Sequence, residues 1–171
     1  TCMVDVARYF LKFLTEESCG KCTPCREGLK QMLAIYDRLV DGEGRPGDIE
    51  LIERLAAGMQ VGSLCELGKS APNPVISTLK YFRDEYVAHI EDHVCIAGVC
   101  QALTAYRILE ENCDGCAACA KACPVDAIAG ERHSLHVINH DVCISCGACL
   151  DVCPTDAVET FPKVQLQREV V

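Results

Sequence analysis

Apolar residues recur at helical spacing through the first half of the chain. Val6, Phe10, Phe13 and Leu14 share one face of a predicted helix, which ends at a Cys/Gly/Pro-rich stretch over 18–24. Leu29, Met32, Leu33, Tyr36 and Val40 form a second stripe, followed by a Gly-rich turn over 41–47. Asp48 is the expected N-cap of a third helix, lined by Ile49, Ile52, Leu55 and Met59. Pro72 and Pro74 stop one segment and open another, whose face carries Val75, Leu79, Phe82, Tyr86 and His89, with His93 near its end. Four such stripes predict a small four-helix bundle.

From Cys113 the pattern changes to short segments punctuated by Gly and Pro. The run CDGCAACAKACPVDAI at 113–128 aligns without gaps to CISCGACLDVCPTDAV at 143–158, thirty residues later. Eight of the sixteen positions are identical, all four Cys and the Pro among them, which implies a pseudo-twofold module built from two half-motifs. Between the copies, residues 135–138 have strand composition after a turn over 130–134. The expected fold class is α+β. Residues 1–93 form a helical bundle, 94–112 a linker, 113–160 a second domain and 161–171 a tail.

Cysteine narrows the chemistry. Fifteen occur in 171 residues. The count is odd, and most neighbours stand three positions apart, a spacing that converges on a metal or cluster rather than on structural disulfides. No basic n-region and h-region suggest secretion, and a reducing, cytoplasmic setting is expected. No apolar run is long enough to span a membrane. With 16 Lys+Arg against 25 Asp+Glu the formal charge is −9, the wrong sign for gripping nucleic-acid phosphates and the right one for docking basic protein surfaces. The chain starts at Thr1 with residues already helical in pattern, so further functional residues are expected upstream.

The repeat reads C-x2-C-x2-C-x3-C-P twice, at Cys113, Cys116, Cys119, Cys123 and at Cys143, Cys146, Cys149, Cys153. This is the bacterial two-cluster ferredoxin run, in which the fourth cysteine ligates the other cluster. One [4Fe-4S] cluster is therefore expected on Cys113, Cys116, Cys119 and Cys153, and another on Cys143, Cys146, Cys149 and Cys123. A third triplet, Cys19, Cys22 and Cys25, lacks a nearby fourth ligand. Cys65, at a loop between helices, is the remaining cysteine between residues 26 and 94 and the expected partner. Cys2, Cys95 and Cys100 are left over. Cys95-x4-Cys100 is too open and apolar for a cubane loop, and His89 and His93 precede it. Three thiolates and one imidazole make a closed tetrahedral zinc set, expected on Cys2, His89, Cys95 and Cys100 with His93 as the alternative fourth ligand.

Two features are set aside. Gly42-x-Gly44-x-x-Gly47 imitates a dinucleotide fingerprint but follows a helical stripe, and Pro46 removes a needed N–H. His133, His136 and His140 lie on a hairpin and its exit, and are expected to be solvated. No nucleophilic triad, paired-carboxylate site or P-loop is present, so no catalytic residue is assigned.

The run ESCGKCTPCREG together with Cys65 and APNPVISTLKYFRDEYVAHI resembles the C-terminal region of the NADH-binding flavoprotein subunit, the 51-kDa type of respiratory complex I and its soluble hydrogenase relatives. The resemblance implies one [4Fe-4S] cluster on Cys19, Cys22, Cys25 and Cys65, beside a flavin (FMN) and NAD(P) site lying upstream of Thr1. The added C-x4-C segment and two-cluster domain resemble the beta subunit of electron-bifurcating [FeFe]-hydrogenases and NADP-reducing hydrogenases. In those relatives the segment typically reads C-P-A-G-V-C, and here Ile96 replaces the proline. The implied function is electron relay through three [4Fe-4S] clusters in an NAD(P)H-linked multi-subunit oxidoreductase, with the zinc linker as a hinge. Implied partners are a catalytic hydrogenase-type subunit, a small [2Fe-2S] subunit and ferredoxin. A related formate dehydrogenase subunit and a zinc-only interaction module are the alternatives.

Overall fold

A computed structural model describes residues 1–168, and these fall into two compact units, Thr1–Cys100 and the remainder from Gln101. Within them helices mix with small sheets. No helix among the described residues is long and apolar enough to cross a membrane.

The first unit is helical throughout. It contains α1 (Met3–Glu17), α2 (Thr23–Val40), α3 (Asp48–Gly62), α4 (Glu66–Ser70), α5 (Asn73–Tyr81), α6 (Arg83–Val87) and a π-helical turn, Ala88–Asp92. Helix α2 packs against both α1 and α3. Leu29, Met32, Tyr36 and Val40 of its predicted stripe are buried, and Leu33 is half-buried. The approach of α3 is close: a Cβ at Gly28 would stand 2.5 Å from Met59 Sδ. Gly47, at φ +90°, takes the N-cap position expected for Asp48. Asp48 opens the helix instead, buried and accepting from Arg38 Nη2 at 2.8 Å and the Arg45 amide at 2.9 Å.

Helix α1 differs in the face it buries. Val4, Ala7 and Leu11 are inside, whereas Phe10 and Phe13 are exposed and Val6 and Leu14 half-buried. The rotation follows from how the helix is anchored: the Met3 amide donates to Glu85 Oε2 at 2.8 Å, beside the fully buried Cys2. The stripe expected from Val75 through His93 is also interrupted. Phe82 leaves helical geometry between α5 and α6, and the chain then widens into the π turn that ends at His93, exposed with φ +53°. Tyr86 remains buried. Its hydroxyl meets those of Tyr36 at 2.9 Å and Thr78 at 2.7 Å, and burial pushes its pKa up to about 12.

The second unit is a pseudo-twofold pair of hairpin-like sheets. Strand β1 (Thr104–Ile108) pairs antiparallel with β4 (Val158–Pro162), and β2 (Ile128–Ala129) with β3 (Val137–Ile138). The registers match: Ile128 faces Ile138, and thirty residues away in either direction Val158 faces Ile108. Short helices α7 (Ala118–Ala122) and α8 (Ala148–Asp151) follow the two cysteine loops, and α9 (Val164–Arg168) closes the described chain. Tyr106, Ile128, Ile138 and Val158 form the core together with Cys119 and Cys149.

Two expected boundaries shift. Residues 104–108, assigned to the linker, form β1 because β4 needs a partner for its backbone donors. Residues 161–162, assigned to the tail, complete β4, with Phe161 buried. Residues 169–171 of that tail lie outside the described residues.

Candidate metal centres

The first unit gathers Cys2, His89, Cys95 and Cys100 at one point: their ligand atoms all lie within 4.8 Å of one another, and all four residues are buried. Cys2 comes from the start of α1, His89 from the π turn, and the two remaining thiols from the loop that follows. His89 Nε2 is 3.5 Å from Cys2 Sγ and 3.5 Å from Cys100 Sγ. A tetrahedral ion with Zn–S about 2.3 Å and Zn–N about 2.0 Å separates sulfur from nitrogen by about 3.5 Å, so the donor set fits zinc. Nδ1 donates to the Glu85 carbonyl at 2.7 Å, which leaves the Nε2 lone pair for a ligand. Burial opposes charge on this ring, but the Cys2 and Cys95 sulfurs and the Glu85 carbonyl outweigh it and raise the His89 pKa to about 10. Sulfur contacts with Cys100 and Cys2 pull Cys95 down, while the same crowding pushes Cys100 up. Exposed His93 stands outside this group.

The triplet Cys19, Cys22, Cys25 occupies the loop and first turn of α2, with Cys22 at its N-cap. Cys65 takes the corresponding position before α4. The backbone brings these two segments together. The Leu64 amide is the largest influence lowering the Cys22 pKa, ahead of the Cys25 amide. A Cβ at Gly68 would stand 2.7 Å from Ser63 Oγ and 3.1 Å from Cys25 Cβ, so only glycine permits this approach. Ser63 Oγ is buried with no hydrogen-bond partner among the described residues. Cys25 is buried and meets Ser18 Oγ at 3.4 Å, while Cys19 and Cys65 are exposed. Amide donors, an unpartnered hydroxyl and four cysteines on adjoining loops fit an iron–sulfur cluster.

In the second unit, two cavities separate the eight cysteines by set. One is lined by Cys143, Cys146, Cys149 and Cys123, with Tyr106 and Ile144 among the walls. The other is lined by Cys113, Cys116, Cys119 and Cys153, with His136 and Thr155. Each therefore takes three cysteines from one repeat and one from the other. The lone cysteines are held alike: the Ala127 amide donates to Cys123 Sγ at 3.2 Å and the Ala157 amide to Cys153 Sγ at 3.3 Å. Burial opposes ionisation of Cys153, but the amides of Thr155, Ala157 and Val158 and the Thr155 hydroxyl pull its pKa down. Burial raises Cys119 and pushes Cys149 up to about 11, so these two thiols need a bound cation to ionise at neutral pH. The donor sets fit two cubane clusters.

His136 departs from expectation. It is buried, not solvated, and lines a cysteine cavity, whereas His133 is exposed and His140 packs edge-on to Phe161 at 6.1 Å. The thirty-residue repeat carried a signal for it, since His136 occupies the position of buried Tyr106 in the other half. The Gly42–Gly47 segment is a turn between α2 and α3.

Comparison with known proteins gives two family matches. Residues 5–89 match the NADH-ubiquinone oxidoreductase-F iron–sulfur binding region, and residues 105–160 match the 4Fe-4S dicluster domain. The chain is 44% identical over 135 residues to the NADP-reducing hydrogenase subunit HndC of Solidesulfovibrio fructosivorans, covering 79% of this chain and 28% of that protein. It is 46% identical over 95 residues to an F-type subunit of the NADH-quinone oxidoreductase of Rhizobium meliloti, covering 56% and 23%. A crystal structure of an NAD+-reducing [NiFe]-hydrogenase in the H2-reduced state aligns with TM-score 0.52 and 31% identity over 54% of this chain and 16% of that one. The chain thus spans less than a third of the length of these relatives, which are subunits of oxidoreductases. The chain carries the iron–sulfur binding region of the NADH-ubiquinone oxidoreductase-F family, joined to a 4Fe-4S dicluster domain.

Proposed function

We propose that this chain is the electron-relay portion of an NAD(P)H-linked, multi-subunit oxidoreductase, of the type found in electron-bifurcating hydrogenases. The observation that carries the reading is the segregation of the eight repeat cysteines into two crossed cavities of the second unit. When bound, [4Fe-4S] clusters supply reversible one-electron storage. The protein's part is to hold them on Cys19, Cys22, Cys25 and Cys65, on Cys113, Cys116, Cys119 and Cys153, and on Cys143, Cys146, Cys149 and Cys123. Amide donors such as those of Leu64, Ala127 and Ala157 are aimed at sulfur, where they favour the more negative state of the site. Buried Ile128, Ile138 and Val158 keep water from the sites of the second unit.

Zinc on Cys2, His89, Cys95 and Cys100 closes the first unit immediately before Gln101, where the second begins. In this reading it fastens the base of a hinge from which the dicluster arm moves between donor and acceptor. FMN and NAD(P) belong to sequence upstream of Thr1, and a hydrogenase-type catalytic subunit, a small [2Fe-2S] subunit and ferredoxin are the proposed partners in the cytoplasm. The relative named as an NADP-reducing hydrogenase subunit, whose match extends beyond the first unit, supports the hydrogenase reading, with a related formate dehydrogenase subunit as the alternative.

The test is iron, acid-labile sulfide and zinc per chain on anaerobically purified protein. About twelve iron, twelve sulfide and one zinc are expected. About eight iron would remove the cluster at Cys19, Cys22, Cys25 and Cys65, and several zincs without iron would make the chain a zinc-only interaction module.

A further inference from the structure

The halves of the second unit match in register and in the amide hydrogen bonds to Cys123 and Cys153, and one of the pairs of equivalent positions at which they differ lies in both cavity walls. Tyr106 and His136 stand thirty residues apart, and each lines the cavity of one cysteine set. Tyr106 rests its hydroxyl over the second cysteine loop, 3.0 Å from where a Cβ on Gly147 would lie. Burial, then the neighbouring Cys149 and Cys146, raise its pKa, so it presents a neutral phenol. His136 is more deeply enclosed, at 1% exposure, and packs against Gly130, where a Cβ would stand 2.7 Å from the ring.

The two ring nitrogens of His136 have different surroundings. Nδ1 is 3.1 Å from the Ser134 carbonyl, which only accepts, so Nδ1 carries a proton. Nε2 is buried and has no hydrogen-bond partner among the described residues. A buried polar atom ordinarily has one, and the ring forms part of the wall shared with Cys113, Cys116, Cys119 and Cys153.

We infer that His136 Nε2–H donates a hydrogen bond to the cluster site formed by Cys113, Cys116, Cys119 and Cys153, and that this bond raises the potential of that site. The inference rests on the reading that both cavities hold clusters. Thiolate and sulfide sulfurs accept, so Nε2 is satisfied there as a donor. Hydrogen bonds to sulfur favour the reduced, more negative state and raise the potential.

The experiment is a potentiometric titration of the cluster-loaded full chain, followed by electron paramagnetic resonance, with wild type, His136→Phe, His136→Gln and His136→Tyr. His136→Phe is expected to lower one midpoint and leave the others in place. His136→Gln, which keeps an uncharged N–H donor at similar reach, should lie between it and wild type. His136→Tyr should lower the same midpoint as His136→Phe. Unchanged midpoints in His136→Phe at full iron content would overturn the inference. If that variant loses iron, an unshifted midpoint in His136→Tyr does so instead. Wild-type protein that binds no iron in this unit overturns the underlying reading and is recognised by metal analysis alone.

Discussion

The Glu85 carbonyl accepts a hydrogen bond from His89 Nδ1 at 2.7 Å, and this contact decides which ring nitrogen faces three buried sulfurs. Glu85 also uses its carboxylate to hold the Met3 amide at 2.8 Å, next to Cys2. One residue thus ties both distant ends of the proposed zinc set, the start of α1 and the π turn, to the same point of α6.

Zinc binding should release the His89 proton. Because the ring pKa is raised from 6.5 to about 10, a proton occupies Nε2 at neutral pH until the metal displaces it. Apparent affinity should therefore fall as pH falls, by about tenfold per unit for this proton in addition to what the thiols contribute. Chelator competition at pH 6, 7 and 8 on wild type and His89→Gln separates the two. An equal slope in both proteins would contradict the assignment of His89 as a ligand.

Removing the zinc thiols should separate two activities of the whole enzyme. Cys95→Ser with Cys100→Ser is expected to abolish ferredoxin reduction while flavin-dependent dye reduction continues, because the first cluster site lies elsewhere in the unit. Side-by-side assays of the two acceptors measure this. Equal coupling in mutant and wild type removes the hinge.

Gly68→Ala should cost one cluster without unfolding the second unit. The added methyl would press on Ser63 at 2.7 Å and Cys25 at 3.1 Å, moving the two loops that carry Cys22 and Cys65 apart. Iron per chain should drop by about four, with sulfide falling in parallel. Retention of all iron would show that the loops tolerate the displacement.

Tyr86 sets an alkaline limit on the first unit. Its pKa lies near 12 in the fold against an ordinary value of 10, so the unfolded chain gives up the proton first and stability is lost as pH rises from about 10 to about 12. Tyr86→Phe should flatten that decline while costing about 1 kcal/mol at neutral pH through the lost contacts with Tyr36 and Thr78. Thermal melts at pH 8, 10 and 11 give both numbers.

The spacing of cysteines was readable because cluster loops constrain sequence locally: three thiols three apart can wrap one ion or cubane wherever the loop sits. The meeting of Cys2 with His89 depends on tertiary packing, and elimination rather than pattern suggested it. The buried face of α1 was not readable, since Val4, Val6, Ala7, Phe10, Leu11, Phe13 and Leu14 place apolar groups around most of the helix, and anchoring by Glu85 selects among them. Around His136 hydropathy points the wrong way. Leu135 and Val137 face outward at 38% and 60% exposure, while the polar His136 shares the inner face with Ile138. Strand alternation holds there, but a polar side chain occupies an apolar position because it faces a cysteine cavity.

Each cavity of the second unit is closed by a cysteine from the opposite repeat. A single repeat of this sequence would leave three thiols around an open corner and a fourth pointing at nothing. Half the unit could complete a site only by pairing with another copy of itself, each lending the other one ligand. Covalent fusion of two such copies converts a concentration-dependent assembly into one that forms within a single chain, and it also frees the halves to diverge. Tyr106 and His136 are one pair of positions at which the halves differ.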